Sequence, residues 1–321
     1  MNFPHHAGLL PALALLTLSA ALAPARAVAQ SAPANQTPSP NGKIVYQSTA
    51  GSDSYVNDIY VMDADGKRQT RLTDDAGDDV SARWSPQGGS IAFLSNRRGG
   101  GFEIFLMNAD GSNQRPLRDA SPVVPSSYEW SPEGTHIAYS DGSDVYVVEV
   151  TSGGGDSTAP PVNVSVNKAA GTIDRQPSWS PDGSRLAVQN SANCPGCSDL
   201  NVITVADGTR VALGTGPGFD SDPSWSADGS LIAYEGDRGG RGIYVTPASG
   251  AGTESKVSGA VGSFGGPVWS PAGARLAFRS LTGRNVYAVN ADATGLTLLS
   301  EVPSTTGDIF WSPDGSKVGF H

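Results

Sequence analysis

Three observations predict an all-β chain folded as a six-bladed β-propeller of four-stranded antiparallel blades, its ring closed by a C-terminal strand. The first is a pentapeptide that occurs six times, as WSPQG from Trp84, WSPEG from Trp130, WSPDG from Trp179, WSADG from Trp225, WSPAG from Trp269 and WSPDG from Trp311. These six copies hold all 6 tryptophans of the 321-residue chain. The second is their spacing of 46, 49, 46, 44 and 42 residues, a near-constant period that marks a repeat architecture. The third is that each period contains four short strand signals bounded by turn residues, which is the make-up of a propeller blade.

The chain opens with a different signal. Residues 1–29 read as an export leader: an apolar run from Leu9 to Leu22, too short for a membrane span, then Ala27-Val28-Ala29 as a small-residue cleavage site. Residues 30–42, beginning QSAPANQTPSPN, are rich in Pro, Ser and Ala without apolar periodicity and read as a flexible linker. The propeller is expected over 43–321.

Within a repeat the strands are A to D. Strand A runs into the tryptophan, as in Gln176 to Ser180. The Ser-Pro-Asp-Gly that follows is turn chemistry: Pro fixes φ at the second position, Asp suits the third and Gly the fourth. In the copy from Trp225, Ala227 replaces the proline and only that restriction is lost. Strand B sets a small residue between two large ones, as in Ile91-Ala92-Phe93, Ile137-Ala138-Tyr139 and Leu186-Ala187-Val188. Alternate side chains point to opposite faces of a strand, so the large pair packs into one neighbouring sheet and the Ala lets the other approach. Strand C carries a pattern such as Ile59-Tyr60-Val61, and Asp-Gly turns at Asp65-Gly66, Asp110-Gly111 and Asp207-Gly208 lead from it to D.

Counting strands leaves a remainder. A and C each occur six times but B occurs seven, because the chain opens on Gly42 to Ser48 and ends on Lys317 to His321. The simplest closure has Gly307 to Ser312 serve as strand A of the first blade. Lys317 to His321 then has no slot and either extends an edge or begins a partial seventh blade.

With WSPDG, the Ile91-Ala92-Phe93 strand followed by Arg97, and the IYVMDADG stretch from Ile59 in view, the chain resembles the propeller repeats of the TolB family. A similar repeat occurs in the propellers of the dipeptidyl peptidase IV and prolyl oligopeptidase class. The likeness runs from Lys43 to His321. It implies a periplasmic setting and a protein or envelope partner, since TolB carries an α/β domain before its propeller and binds the lipoprotein Pal. Here a short linker stands between leader and repeats, so the resemblance implies a propeller-only, TolB-like exported protein, expected to be monomeric and not membrane-spanning.

The charge excludes one class of partner. The formal net charge is −10, and −11 without the leader, which removes Arg26 and no acid; no Lys/Arg cluster is present. Such a surface opposes binding to nucleic acid.

Chemistry has few candidates. A nucleophilic triad needs a His base, and beyond the leader only His136 and His321 remain, with no GxSxG elbow. Carboxylates are the better prospect. Asp79, Asp174 and Asp220 each stand five residues before a motif tryptophan, and Asp222 and Asp308 three before theirs. At the start of the innermost strands they would cluster near one mouth of the channel, where they could hold a Ca²⁺-like cation or attract a partner's basic groups. The alternative is that each caps a turn or bonds within its own blade. No other cofactor is expected. Cys194 and Cys197 read as a local disulfide pinning a loop, as suits an exported protein. The pairs Arg97/Arg98 and Arg238/Arg241 mark either an interaction edge or solvated loop charge, and 152–161 and 194–197 are the loops that break the repeat most. The leading expectation is a non-catalytic binding or scaffold module of the periplasm or extracellular space. The other is a metal-dependent hydrolase or lyase using the channel-mouth carboxylates.

Overall fold

The computed structural model describes residues 14–17, 42–49, 56–118, 125–150, 159–191, 197–213, 218–259, 264–280, 285–300, 309–312 and 314–320. Their regular structure is all β. Strand β1 is Ala14–Thr17. Blade one comprises β2 (Lys43–Ser48), β3 (Asp58–Asp63) and β4 (Thr70–Arg71). Blade two is β5 (Asp79–Trp84), β6 (Ser90–Ser95), β7 (Glu103–Asn108) and β8 (Arg115–Pro116). Blade three is β9 (Ser127–Trp130), β10 (His136–Ser140), β11 (Val145–Glu149) and β12 (Val162–Asn163). Blade four is β13 (Ile173–Trp179), β14 (Arg185–Ser191), β15 (Asp199–Thr204) and β16 (Arg210–Leu213). Blade five is β17 (Asp220–Trp225), β18 (Leu231–Gly236), β19 (Gly242–Pro247) and β20 (Ser255–Lys256). Blade six is β21 (Phe264–Trp269), β22 (Arg275–Ser280), β23 (Val286–Asn290) and β24 (Thr297–Ser300). A hairpin of β25 (Ile309–Trp311) and β26 (Lys317–Phe320) follows.

The molecule is thus a six-bladed propeller whose blades are antiparallel meanders, with strands paired in chain order from the inside outward. The motif makes the corner between the first two strands. In WSPDG from Trp179 the Gly183 amide donates to the Ser180 carbonyl at 2.9 Å, and Gly183 takes φ +68°, a conformation a side chain would strain. The Ser180 hydroxyl donates to Asp182 at 2.6 Å and accepts from the Arg185 amide at 2.9 Å. Asp228 and Asp314 are bonded by Ser226 and Ser312 in the same way.

The core lies between blades rather than at the axis. Tyr128, Trp130, Ile137 and Tyr139 of blade three pack with Ala92, Ile104 and Leu106 of blade two. Ala138 turns the other way, joining Trp179, Leu186 and Val188 of blade four. The large-small-large rule of the second strand therefore assigns its faces as expected. Five of the tryptophans, Trp130, Trp179, Trp225, Trp269 and Trp311, also tie their blade to the one before. Trp225 Nε1 donates to the Ser178 carbonyl at 3.0 Å, Trp269 to Ser224 at 2.9 Å and Trp311 to Val268 at 3.0 Å. Trp130 and Trp179 repeat the contact at 3.4 Å to Arg83 and Glu129. The acceptor is always the residue before the previous blade's tryptophan.

The ends of the chain differ from the simplest closure. β25 packs on blade six, where Trp311 and Val318 join Ala277, Val286 and Leu299. It pairs with β26, not β2, and the sheet order is β1-β26-β25. Lys317 to Phe320 has its slot after all, as the second strand of a partial additional blade beside the six. The outer edge of β26 is taken by Ala14–Thr17, from within the stretch read as a leader. Among the described residues blade one has three strands.

Candidate functional site

Asp79, Asp174 and Asp220 stand where innermost strands begin, and Asp222 two residues further in, at the end where the loops after the second strands also lie. Burial there is severe: Asp79, Asp174 and Asp220 are 0 %, 0 % and 1 % exposed. A buried carboxylate must be paired or neutralised, and each of the three is met by an arginine. Arg97 Nη2 lies 2.8 Å from Asp79 Oδ2 and 2.6 Å from Asp75. Its guanidinium sits over the rings of Phe93 and Phe105, 5.3 and 4.8 Å from their centroids, which favours a cation. Arg210 grips Asp174 with both terminal nitrogens, each at 2.8 Å, and Asn190 donates to the same carboxylate at 2.6 Å. Arg238 ion-pairs with Asp220 and, at 2.6 Å, with Asp199 of blade four, so it ties two blades together. Burial nonetheless pushes Asp220 up to about 7, against the pull of Arg238. Blade one repeats the device with Asp58 and Arg71, 2.6 Å apart.

Asp222 is different. It is held by neutral groups: Gln176 Nε2 donates to Oδ1 at 2.6 Å and the Ser221 hydroxyl to Oδ2 at 3.1 Å. Burial raises its pKa. The Asp222 amide donates back to Gln176 Oε1 at 3.1 Å, so blades four and five clasp each other at the channel. Asp222 and Gln176 have φ of +52° and +50°, as does Ser81 at +55°, and each sits at a bulge where the pairing of the inner strand shifts. Ser81 is clasped likewise, its amide donating to Gln47 Oε1 of blade one at 2.8 Å. Asp308 lies outside the described residues.

The structure therefore distributes the carboxylates among blades, each with its own partners. Among the described residues, no three or more His, Cys, Asp or Glu side chains converge as a metal site would require. Two features were not visible in the sequence. Glu129 stands one place before Trp130; its Oε2 accepts from the Trp179 amide at 2.9 Å, and burial pushes its pKa up to about 7 while Arg83 pulls it down. Glu235, buried one strand behind Asp222, is raised by burial and bound by Arg241 Nε at 2.7 Å.

Arg97 and Arg238 are fixed structural cations rather than solvated loop charge, while their neighbours Arg98 and Arg241 reach Glu103 at 3.5 Å and Glu235 at 2.7 Å from more exposed positions. His136 Nδ1 meets the Thr135 hydroxyl at 2.9 Å on the surface. Cys194 and most of the 152–161 loop lie outside the described residues. No helix among the described residues is long and apolar enough to cross a membrane.

The motif tryptophans, their interblade ladder and the corner hydrogen bonds define a repeat type, and the family model of the TolB beta propeller domain matches residues 11–117 and 100–258. The chain belongs to the TolB beta propeller family. Among its relatives, an uncharacterized protein Atu1656 of Agrobacterium fabrum is 32 % identical over 161 residues, 46 % of this chain and 52 % of that protein. The Tol-Pal system protein TolB of Alcanivorax borkumensis is 29 % identical over 96 residues, 30 % of this chain and 22 % of that one. An uncharacterized peptidase YuxL of Bacillus subtilis matches over 26 % of this chain and 13 % of its own length, at 32 % identity. The chain thus spans about half or less of these relatives. Solved structures share the fold: a putative TolB from Agrobacterium tumefaciens has a TM-score of 0.59 at 19 % identity, covering 79 % of this chain and 92 % of that one. An oligogalacturonate lyase from Vibrio parahaemolyticus has a TM-score of 0.63 at 13 % identity, covering 86 % and 77 %.

Proposed function

We propose that this TolB-family propeller is an exported, non-catalytic module that binds a protein or another component of the cell envelope through one face of the ring. The observation that carries this reading is the fate of the buried carboxylates. Asp79, Asp174 and Asp220 are held by Arg97, Arg210 and Arg238, so they brace the blades and give the loops at that end a rigid base. A rigid scaffold bearing irregular loops is the usual form of a recognition surface. On this reading the leader is removed after Ala29, the mature protein is a periplasmic or secreted monomer, and Cys194 is bonded to Cys197. It takes no cofactor.

The test is affinity capture from envelope extract with the immobilised chain beginning at Gln30, compared with a variant in which 152–161 is replaced by a short Gly-Ser loop. Retention of a specific protein, weakened by the loop replacement, is expected. Recovery at background with both proteins contradicts the proposal.

A second reading is metal-dependent hydrolase or lyase chemistry at the channel mouth, and Asp222 favours it. Its carboxylate accepts from an amide and a hydroxyl, while the positive charge of Arg279 favours its ionised form against burial. A Ca²⁺-like ion is the cation such oxygen ligands suit.

A further inference from the structure

The chain holds seven candidate second strands for six first strands, and the two at its ends, β2 and β26, are in competition. β25 is a first strand by every criterion of the repeat: it ends in Trp311, turns through Asp314-Gly315 and donates the Trp311 indole to blade six. β26 pairs with it in the usual register, Trp311 opposite Val318 and Phe310 opposite Gly319. The corresponding pairs elsewhere are Trp84 opposite Ile91 and Arg83 opposite Ala92, then Trp179 opposite Leu186 and Ser178 opposite Ala187. β2 presents the apolar triplet Ile44-Val45-Tyr46, with Val where the other blades' second strands have Ala, and leads a sheet with no described strand on its inner side. Placed in that register, Ile44 would face Trp311 and Val45 would face Phe310.

What favours β26 in this structure is its third strand. Ala14–Thr17 pairs antiparallel along it, from Ala14 opposite Phe320 to Thr17 opposite Lys317. Without that strand the hairpin is two-stranded, a form only marginally stable alone. Pairing β25 with β2 instead would join six residues already backed by β3 and β4, completing a four-stranded blade like the other five. The linker does not replace β1 readily, because Pro33, Pro38 and Pro40 cannot donate to a ladder.

We propose that Ala14–Thr17 is a removable wedge: while present it holds β26 on β25, and its removal lets β25 re-pair with β2, closing the ring and releasing Lys317–Phe320. The same register would bring the Phe310 carbonyl towards the Trp84 indole and continue the tryptophan ladder around the circle. Export processing is how the wedge leaves in the cell, so that part rests on the export reading above; the re-pairing itself does not.

The experiment compares the full chain, retained in the cytoplasm, with the chain beginning at Gln30, both carrying C194S and C197S. Each is made with the pair V45C and F310C, and separately with F310C and G319C, then oxidised with glutathione disulfide and mapped by mass spectrometry. The chain from Gln30 is expected to form the 45–310 bond at least tenfold more than the full chain, and the full chain to favour 310–319. Hydrogen exchange on the otherwise unaltered chains supplies a readout independent of the cysteines: amides of 43–48 gain protection and those of 317–320 lose it once the wedge is absent. Persistent 310–319 bonding without 45–310 in the chain from Gln30, or identical exchange in the two chains, overturns the proposal. The intact mass of the exported protein reports separately on whether the leader is cleaved after Ala29.

Discussion

Asp174 and Arg210 show how this propeller uses charge. The carboxylate is fully buried, the guanidinium nearly so, and both terminal nitrogens are engaged at 2.8 Å. Removing one member of such a pair strands the other in a low-dielectric interior, which costs about 3–5 kcal/mol. Arg210→Ala is therefore expected to lower the unfolding free energy by that amount in urea titrations, and D174A added to it to restore part of the loss. A change below about 1 kcal/mol would mean that water reaches Asp174. Titration gives a second prediction. Burial raises Glu129 and Asp220 to about 7, so between the ordinary carboxylate range and pH 7 the folded protein holds protons that the unfolded chain has released. Stability from these groups is therefore present at low pH and is lost as pH rises through 7. Asp314 acts oppositely: the Ser312 hydroxyl and Ser316 amide hold it down at about 2, and its contribution is lost only as pH falls below 4. Tm is expected to be higher at pH 5.5 than at pH 8, and Glu129→Gln to reduce the difference. An E129Q slope equal to that of the unaltered protein would contradict the assignment.

At the scale of elements the tandem corner is the unit that recurs, and Ala227 is the exception that tests it. A Cβ placed at Gly229 would lie 3.5 Å from Pro181 of the preceding corner, and one at Gly273 would lie 3.5 Å from Ala227. The two neighbours occupy equivalent places. A proline at 227 should fit as Pro181 does, removing freedom from the unfolded chain for a gain of about 0.4–1 kcal/mol. Ala227→Pro is expected to move the urea midpoint upward at constant m-value; a downward shift would show that this corner departs from the others. The corners were legible in the sequence because turn chemistry is local: Ser, Pro, Asp and Gly each act within four residues. The faces of the second strand were legible for the same reason, since Ala138 between Ile137 and Tyr139 needs only the period of two. The arginine partners were not. Arg97 lies 18 residues beyond Asp79 in a loop, and Arg210 lies 36 beyond Asp174 on an outer strand. No spacing rule links those positions, and only the closed blade brings them together. The bulges at Ser81, Gln176 and Asp222 were hidden too, because none of the three is a glycine that would betray a positive φ.

For the whole molecule, the period of the tryptophans was enough to give the ring and the number of its blades, while the ends were not resolved by counting. β2 and β26 are both candidate second strands by sequence; the structure pairs β25 with β26, in a three-stranded sheet with Ala14–Thr17, and on the proposal above this strand decides the choice. Of the aspartates at the channel mouth, Asp79, Asp174 and Asp220 are each paired with an arginine. What remains of the metal reading is Asp222, with Glu235 behind it. Calorimetric titration of chelator-treated protein with Ca²⁺ and Mn²⁺, run beside a Tm measurement, separates a braced scaffold from a metal-dependent enzyme. No saturable heat and a Tm unchanged by chelation are expected of a braced scaffold. A one-site isotherm that disappears in D222N, with a matching rise in Tm on adding the metal, would contradict it.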